Sequence, residues 1–223
     1  MRKLPNAVIF DLFGTIVPYL TEDEFRSSLA ATAEIMGISH SKLVAAWCNE
    51  GRFLEWVTMP TSTEDRIRKT FAEFGLRPTE GQIAETARTR LDAHRRWMLP
   101  RETSVEILTK LKSIGIRLGL MSVCSGEVRE IWEETPFNGL FDVVHLSCEL
   151  GMDKSQETFY RKTLDKLEAD PTRTIYVGDS AEELEWASRL GMRAILMKSD
   201  RVQNWNLSAI DEPIELLLAE EFE

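Results

Sequence analysis

The spacing of apolar residues differs between the two parts of the chain, and it changes near Pro100. Beyond it, short apolar runs alternate with longer segments in which apolar residues recur every three or four positions. The runs predict strands over 116–122, 141–147, 174–178 and 192–197, and the longer segments predict helices over 103–114, 125–135, 155–168 and 181–190. Alternating strands and helices form parallel sheets, so this part predicts an α/β fold of three layers.

Residues 22 to 98 have helical spacing almost throughout. Helices are predicted after the capping residue Thr21, over 41–59, from Ser62 to Phe74 and from Thr79 to Trp97, with prolines between them. The apolar run 6–11 precedes this segment and can pair only with the later strands. The pattern therefore predicts an all-helical domain, 17–98, inserted into a core made of 1–16 and 99–223. A last short helix is expected over 214–220.

The composition narrows the functional class. The chain of 223 residues is 43% hydrophobic and 29% charged, and no apolar run approaches the roughly 20 residues of a membrane helix. A net charge of −10 argues against nucleic acid as a partner, but it is compatible with a small anionic substrate. The three cysteines form no CxxC pair, so a cytoplasmic location is expected. The protein is expected to be a monomer or a homodimer without a membrane partner.

Polar residues stand at the ends of the predicted strands. Asp11 ends the first strand, Ser122 the second, Asp179 follows the strand 174–178, and Lys154 comes after the strand 141–147. The carboxyl ends of parallel strands meet at one edge, where open α/β sheets bind their ligands. We therefore expect the four side chains to converge. Asp11 could then attack phosphorus as a nucleophile, and Lys154 could neutralise the charge of the phosphate.

Hydrogen-bond donors for a phosphate are available in the same segments. The hydroxyl groups of Thr15 and Ser122 are predicted to bind phosphoryl oxygens, as are backbone N–H groups of the turns at Gly14 and Val123. These donors would stabilise negative charge that develops during phosphoryl transfer.

A magnesium site is predicted beside them. Mg²⁺ prefers oxygen ligands, and Asp11, Asp179 and Glu183 could supply carboxylates. Glu182 is adjacent to Glu183, and the sequence leaves open which of the two serves the metal.

These segments resemble the four motifs of the haloacid dehalogenase-like (HAD) hydrolase superfamily, in order. The motifs are Asp11-Leu12-Phe13-Gly14-Thr15, Ser122, Lys154 within Glu149–Lys154, and Gly178-Asp179-Ser180-Ala181-Glu182-Glu183. The helical insertion resembles the C1 cap of subfamily I. The resemblance covers essentially the whole chain and implies a Rossmann-like core and an Mg²⁺-dependent phosphatase that forms an aspartyl-phosphate. It also implies that the backbone carbonyl of Phe13 binds the metal.

Phe13 departs from the pattern of the family. Phosphatases of this family usually have a second Asp at this position, which protonates the leaving group and then activates water. Phenylalanine cannot transfer a proton, and such catalysis is typically worth about 10²–10⁴-fold. The chain is therefore expected to favour leaving groups that need no proton, or to use an acid of the cap such as Glu22, Asp23 or Glu50.

Three alternatives remain open at the level of sequence. A haloacid dehalogenase needs no metal, but its second motif usually reads Ser-Asn, whereas this chain has Ser122-Val123 and keeps Asp179 and Glu183. A phosphonate hydrolase uses a cap lysine, for which Lys42 and Lys69 are the candidates. A degenerate hydrolase that serves as a binding or regulatory protein is the third alternative.

Substrate contacts from the cap are expected at Tyr19, Arg26 and Arg52. Trp47, Trp56 and Trp97 are interpreted as the core of the cap rather than as part of a substrate pocket. The arginines between positions 88 and 96, which include Arg90, are interpreted as a solvated helix face. The identity of the substrate is left open, because cap side chains would determine it.

Overall fold

A computed structural model describes residues 5–48 and 50–197, without the side chain of Glu50. Five parallel strands form one sheet in the order β3-β2-β1-β4-β5. They are β1 (Ala7–Phe10), β2 (Arg117–Ser122), β3 (Val143–Leu146), β4 (Thr174–Gly178) and β5 (Arg193–Leu196). The predicted α/β fold with a parallel, Rossmann-like sheet is confirmed.

The central strand β1 is buried on both faces, as expected for a parallel sheet covered by helices. Side chains alternate between the faces of a strand. Val8 and Phe10 therefore pack into one apolar cluster, and Ala7 and Ile9 pack into another on the opposite face. Phe10 pairs in register with residues of both β2 and β4, which brings the ends of these three strands to one edge.

Helices of the core connect these strands. Their numbers follow those of the five helices in the inserted segment, which are α1 to α5. The helices of the core are α6 (Ser104–Ser113), α7 (Gly126–Ile131), α8 (Ser147–Leu150), α9 (Glu157–Lys166) and α10 (Ala181–Arg189). Short 3₁₀ turns lie at Trp132–Glu134 and Pro171–Arg173. The four-residue helix α8 follows β3 directly and was not predicted, because it is too short to show helical periodicity.

Five helices lie between β1 and α6. They are α1 (Glu22–Met36), α2 (His40–Trp47), α3 (Glu50–Thr58), α4 (Thr63–Glu73) and α5 (Glu80–Trp97). Thr21 and Thr79 form capping boxes with Glu24 and Gln82, which satisfy backbone N–H groups at the starts of α1 and α5. These helices share an apolar cluster of their own around Leu29, Leu43 and Phe71.

The structure corrects the prediction of one helix over 41–59. Two helices occupy this range, with α2 ending at the cap residue Cys48 and α3 starting at Glu50. Their apolar residues have the same period, so the sequence pattern alone did not reveal the break. The predicted helix 214–220 lies outside the described residues, and the boundary of the inserted domain at 17–98 stays a prediction. No helix among the described residues is long and apolar enough to cross a membrane.

Candidate active site

The loop after β1 places Asp11 and Thr15 side by side. Three backbone N–H groups, of Thr15, Ile16 and Val17, donate to the carbonyl oxygen of Leu12 over 3.3, 3.0 and 3.0 Å. This tight turn needs Gly14 in the left-handed region, at φ +83°. The Thr15 hydroxyl donates a hydrogen bond of 3.0 Å to Asp11 Oδ2, so the buried carboxylate is fixed from its own loop.

Lys154 connects Asp11 with the fourth motif. Its ammonium donates hydrogen bonds to Asp11 Oδ1 and, over 3.0 Å, to Glu183 Oε2. Glu183 Oε2 also accepts a hydrogen bond of 2.5 Å from the Tyr176 hydroxyl. Glu182, the alternative that the sequence left open, points to solvent on the first turn of α10. The structure therefore brings Glu183, and not Glu182, to the neighbourhood of Asp11.

Asp179 approaches the same loop from β4. Tyr19 lies near its carboxylate and lowers its pKa, against the larger effect of burial. A Cβ atom added at Gly14 would lie 2.3 Å from Asp179 Oδ2 and 2.4 Å from the Tyr19 ring. Gly14 is thus required both for its backbone conformation and for the close approach of Asp179. Tyr19 itself is 46% exposed and lies at the edge of the site.

The three carboxylates repel one another. The pKa of Asp11 is raised to about 7, mainly by burial, with Glu183 and Asp179 adding to the increase and the Lys154 ammonium opposing it. Burial also raises the pKa of Asp179, to which Glu183 contributes. Burial would lower the pKa of Lys154, but Asp11 and Glu183 outweigh it and raise the value. The site therefore concentrates negative charge around one ammonium group.

The donor set fits a magnesium ion in its chemistry, since Asp11, Asp179 and Glu183 offer hard carboxylate oxygens whose mutual repulsion a cation would relieve. In the part of the chain that the structure describes, however, no three His, Cys, Asp or Glu side chains are arranged as a metal-ligand cluster. Asp11 and Glu183 are instead hydrogen-bonded to Lys154, and Glu183 is also hydrogen-bonded to Tyr176.

Ser122 completes the edge of the sheet at the end of β2. Its side chain is buried, and its hydroxyl oxygen has no hydrogen-bond partner among the described residues. A buried hydroxyl without a partner is unusual in proteins, because the desolvation of a polar group is not compensated. It is therefore available to a ligand that enters the site.

A cavity of about 250 Å³ adjoins these residues. Phe13, Tyr19 and Val123 line it together with Cys124, Ser125 and Val128 of the core and with helices of the insertion. Its wall is mainly apolar, and the aromatic residues of the insertion in it are Phe25, Trp47, Phe53, Trp56 and Trp97. The three tryptophans interpreted as cap core thus also line a pocket.

Two arginines in this cavity were missed or misinterpreted from the sequence. Arg66 and Arg90 are 6% and 3% exposed, so the interpretation of Arg90 as part of a solvated face is wrong. Both face Glu127 of α7, with Arg66 Nη2 at 2.7 Å and Arg90 Nε at 3.5 Å from Glu127 Oε1. Arg90, His94 and Trp97 follow a helical spacing on α5, but this signal does not distinguish a buried face from an exposed one.

Two of the predicted cap contacts are not brought to the site. Arg26 pairs with Glu22 on the exposed surface of α1, since residues four apart on a helix are neighbours. Arg52 pairs with Glu55 and Glu73. Neither arginine lines the cavity beside Phe13.

The other candidate residues of the cap are exposed or lie outside the description. Glu22 and Asp23 are exposed, and the side chain of Glu50 is outside the description. Lys42 and Lys69 are exposed, and Lys69 pairs with Glu55. Neither a cap acid nor a cap lysine is therefore seen next to Asp11 among the described residues.

The fold and the site define a class of enzyme-like α/β proteins with a parallel sheet, a helical insertion after the first strand and a buried Asp–Lys pair at the carboxyl edge. A family model of haloacid dehalogenase-like hydrolases matches residues 58–197. The chain belongs to this family and is a hydrolase.

Two relatives align with more than nine-tenths of this chain. Glyceraldehyde 3-phosphate phosphatase of Methanopyrus kandleri is 24% identical over 230 residues, which cover 95% of this chain and 95% of that protein. Protein CbbY of Rhodobacter capsulatus is 22% identical over 215 residues, which cover 92% and 91% of the two chains.

Solved structures of the same family share the fold. A predicted HAD-like hydrolase from Porphyromonas gingivalis has a TM-score of 0.67 at 20% identity and covers 97% of this chain and 98% of its own. A family enzyme from Bacteroides thetaiotaomicron, in complex with magnesium and inorganic phosphate, has a TM-score of 0.66 at 16% identity and covers 91% and 98%. At this level of identity the likeness shows the fold alone.

Proposed function

We propose that the protein is a magnesium-dependent phosphatase of a small phosphorylated metabolite and that Asp11 is its nucleophile. The observation that carries the proposal is the buried Asp11 carboxylate, held by Thr15 and Lys154, with the unpartnered hydroxyl of Ser122 at the end of the neighbouring strand β2. The names of the phosphatase relatives and the magnesium and phosphate bound to a structural neighbour support it.

The reaction would proceed in two displacements. A carboxylate oxygen of Asp11 attacks phosphorus, the bond between phosphorus and the leaving oxygen breaks, and its electron pair remains on that oxygen. Water then attacks the aspartyl-phosphate, which releases phosphate and restores the carboxylate. Ser122 and Thr15 would donate hydrogen bonds to phosphoryl oxygens, and Lys154 would balance the negative charge of the phosphoryl group.

Asp11, Asp179, Glu183 and the carbonyl oxygen of Phe13 would hold the magnesium ion. When bound, the ion supplies positive charge that neutralises the phosphoryl oxygens. Lys154 would need to release one of its two carboxylate partners as the site fills. The mutual repulsion of the acids favours such a rearrangement.

The substrate must tolerate the absence of an acid at position 13. Phe13 lines the cavity and offers no proton, and the candidate cap acids Glu22 and Asp23 are exposed. Acyl phosphates and aryl phosphates have weakly basic leaving groups, so they fit this site better than sugar phosphates do.

Phosphate release tests the proposal directly. Acetyl phosphate and 4-nitrophenyl phosphate are offered to the protein with Mg²⁺ and with excess EDTA, and to the variants Asp11→Asn and Asp165→Asn. Asp165 is an exposed acid of α9, so its variant controls for loss of a surface charge. We expect turnover with Mg²⁺ only, no turnover in Asp11→Asn, and wild-type turnover in the control.

The same assay distinguishes the alternatives. Halide release from 2-haloacids in EDTA would show that the protein is a dehalogenase rather than a phosphatase. Full activity of Asp11→Asn would exclude the covalent mechanism. Absence of turnover on every substrate class would favour the third alternative, a degenerate hydrolase that serves as a binding protein. The lack of an acid at Phe13 motivates this alternative.

A further inference from the structure

The cavity beside the phosphoryl site is in the right position for the leaving group of a substrate. Val123 follows the unpartnered Ser122, and Phe13 and Tyr19 belong to the loop of Asp11 and to the chain that leaves it. A phosphoryl group at Asp11 would therefore direct the remainder of its substrate into this space. The cavity of about 250 Å³ exceeds the roughly 150 Å³ of an engineered cavity that binds benzene.

The walls of the cavity suit a flat ring. Trp47 and Trp56 meet edge to face, with ring centroids 4.9 Å apart and an interplanar angle of 82°. Trp97 and Phe13 contribute further aromatic surface. Aromatic rings pack favourably against one another in edge-to-face and offset geometries. A ring is thus a better occupant than a hydroxyl-rich sugar, which would leave its polar groups unpaired.

Buried positive charge exceeds buried negative charge in the wall of this cavity. Arg66 and Arg90 line it, and Glu127 is the only carboxylate among the described residues that forms an ion pair with either of them. Both Nη atoms of Arg66 contact Glu127, and Arg90 Nη1 donates a hydrogen bond of 2.8 Å to Ser28 Oγ. The Arg66 guanidinium also lies 4.3 Å from the ring centroids of Trp47 and Trp56. These contacts stabilise the two cations in part, but one buried carboxylate does not balance their charge.

Other charged or titratable groups do not remove this excess. Glu130 adds negative charge near Arg66, but its side chain is exposed, so solvent screens this charge more than that of the buried Glu127. Burial lowers the pKa of His94 to about 4, so this residue is neutral at pH 7. Burial raises the pKa of the Cys48 thiol, which stays protonated.

We propose that the cavity binds the leaving group of the substrate as an aromatic ring that carries a carboxylate, with the carboxylate at Arg66 and Arg90. A second carboxylate would balance the two guanidinium groups, which pair with carboxylates in a planar, two-pronged geometry. A phenolate is also a weakly basic leaving group, which agrees with the lack of an acid at Phe13. The inference rests on the proposed function for the phosphoryl end, whereas the ring and its carboxylate can be tested separately.

A binding experiment without phosphate tests the subsite. Trp47, Trp56 and Trp97 line the cavity, so their fluorescence reports binding of benzoate and of its neutral analogue benzamide. We expect benzoate to bind wild type at least about tenfold more tightly, because only the carboxylate forms charge-assisted hydrogen bonds. The preference should disappear in Arg90→Gln, which leaves Arg66 and Glu127 as a balanced pair, and persist in Arg88→Gln, a variant of an exposed arginine on the same helix.

The outcomes are separable. Equal binding of the two ligands by wild type, binding of neither, or an unchanged preference in Arg90→Gln overturns the subsite. A structural role of Arg90 as a link between α5 and α7 would change stability but not this preference. If Arg90→Gln fails to give the circular dichroism spectrum of wild type, the wild-type comparison decides alone.

A kinetic comparison separates the subsite from the proposed function. Phosphate release is measured from phenyl phosphate, 4-carboxyphenyl phosphate and acetyl phosphate in the presence of Mg²⁺. We expect the carboxylated ester to have the higher kcat/KM by about tenfold, with a smaller ratio in Arg90→Gln than in Arg88→Gln. Hydrolysis of acetyl phosphate without an advantage for the carboxylated ester refutes the subsite alone. Benzoate binding without hydrolysis of any ester refutes the phosphatase alone.

Discussion

Lys154 Nζ donates a hydrogen bond of 3.0 Å to Glu183 Oε2 while it also contacts Asp11. One ammonium group thus lies between Asp11 and Glu183, a carboxylate that raises the pKa of Asp11. Lys154 is 4% exposed, so solvent screens this arrangement weakly. The nucleophile proposed here can be ionised at neutral pH because this cation is present.

Replacement of Lys154 by Met should abolish most of the phosphatase activity. Without the ammonium, burial and the neighbouring acids raise the pKa of Asp11 further, and the protonated group cannot attack. We expect kcat/KM for acetyl phosphate to fall by about 100-fold or more. Lys162→Met, which changes an exposed lysine of α9, should have wild-type kinetics. Wild-type kinetics in Lys154→Met would show that the ion pair is structural only.

Replacement of Gly14 by Ala should affect activity beyond its effect on stability. The new Cβ would lie 2.3 Å from Asp179 Oδ2, so that carboxylate must move. Gly37→Ala is a matched control, because its φ of +68° imposes a similar strain of about 1 kcal/mol while nothing lies within 4 Å of the added Cβ. Both variants should unfold at lower urea concentration, but only Gly14→Ala should lose about 100-fold in kcat.

Replacement of Phe13 by Asp should introduce the missing acid. We expect at least about tenfold faster hydrolysis of an alkyl ester such as glycerol phosphate, within the 10²–10⁴-fold range of general acid–base catalysis. Acetyl phosphate should change little, since its leaving group needs no proton. Phe13→Asn is the control for the loss of the ring. If wild type already hydrolyses glycerol phosphate as fast as acetyl phosphate, another group supplies the proton.

Stability should fall between pH 7 and pH 5 because of His94. Burial, supported by Arg90 and Arg66, lowers the pKa of this imidazole from 6.5 to about 4, against the opposing effect of Glu127. Between these values the unfolded chain binds a proton that the folded chain does not, so the folded state loses stability as the pH falls. The expected loss from this group is about 2 kcal/mol.

Urea unfolding of wild type and His94→Gln at pH 7 and pH 5 measures this contribution. Other groups, such as His145, are common to both chains, so the difference between them isolates His94. Wild type should lose about 2 kcal/mol more than the variant over this interval. An equal loss in both chains would mean that His94 is accessible to protons in the folded state.

Much of the fold follows from local patterns. The apolar runs and helical periods are set by neighbouring residues, so they predicted the five strands and the helices between them with small errors at the ends. The two errors inside the fold, the break at Cys48 and the short helix α8, lie where the period does not change or the element is too short to have one.

The sequence also determined that Asp11, Ser122, Lys154 and Asp179 follow strands of one parallel sheet at the same edge, because the carboxyl ends of parallel strands share one edge whatever the details of packing. Their catalytic roles stay predictions. Only the tertiary structure decided that Glu183 rather than Glu182 approaches Lys154, because both residues lie on the same first helical turn.

Tertiary structure also decided which face of the inserted helices lines the cavity. The sequence favoured Arg26 and Arg52 and did not single out Arg66, yet of these three only Arg66 reaches Glu127, a residue 61 positions away. Which face of a helix is buried depends on how it packs against elements that are remote in the chain. A helical period specifies that a face exists, whereas the packing of α4 and α5 against α7 specifies which charges it encloses.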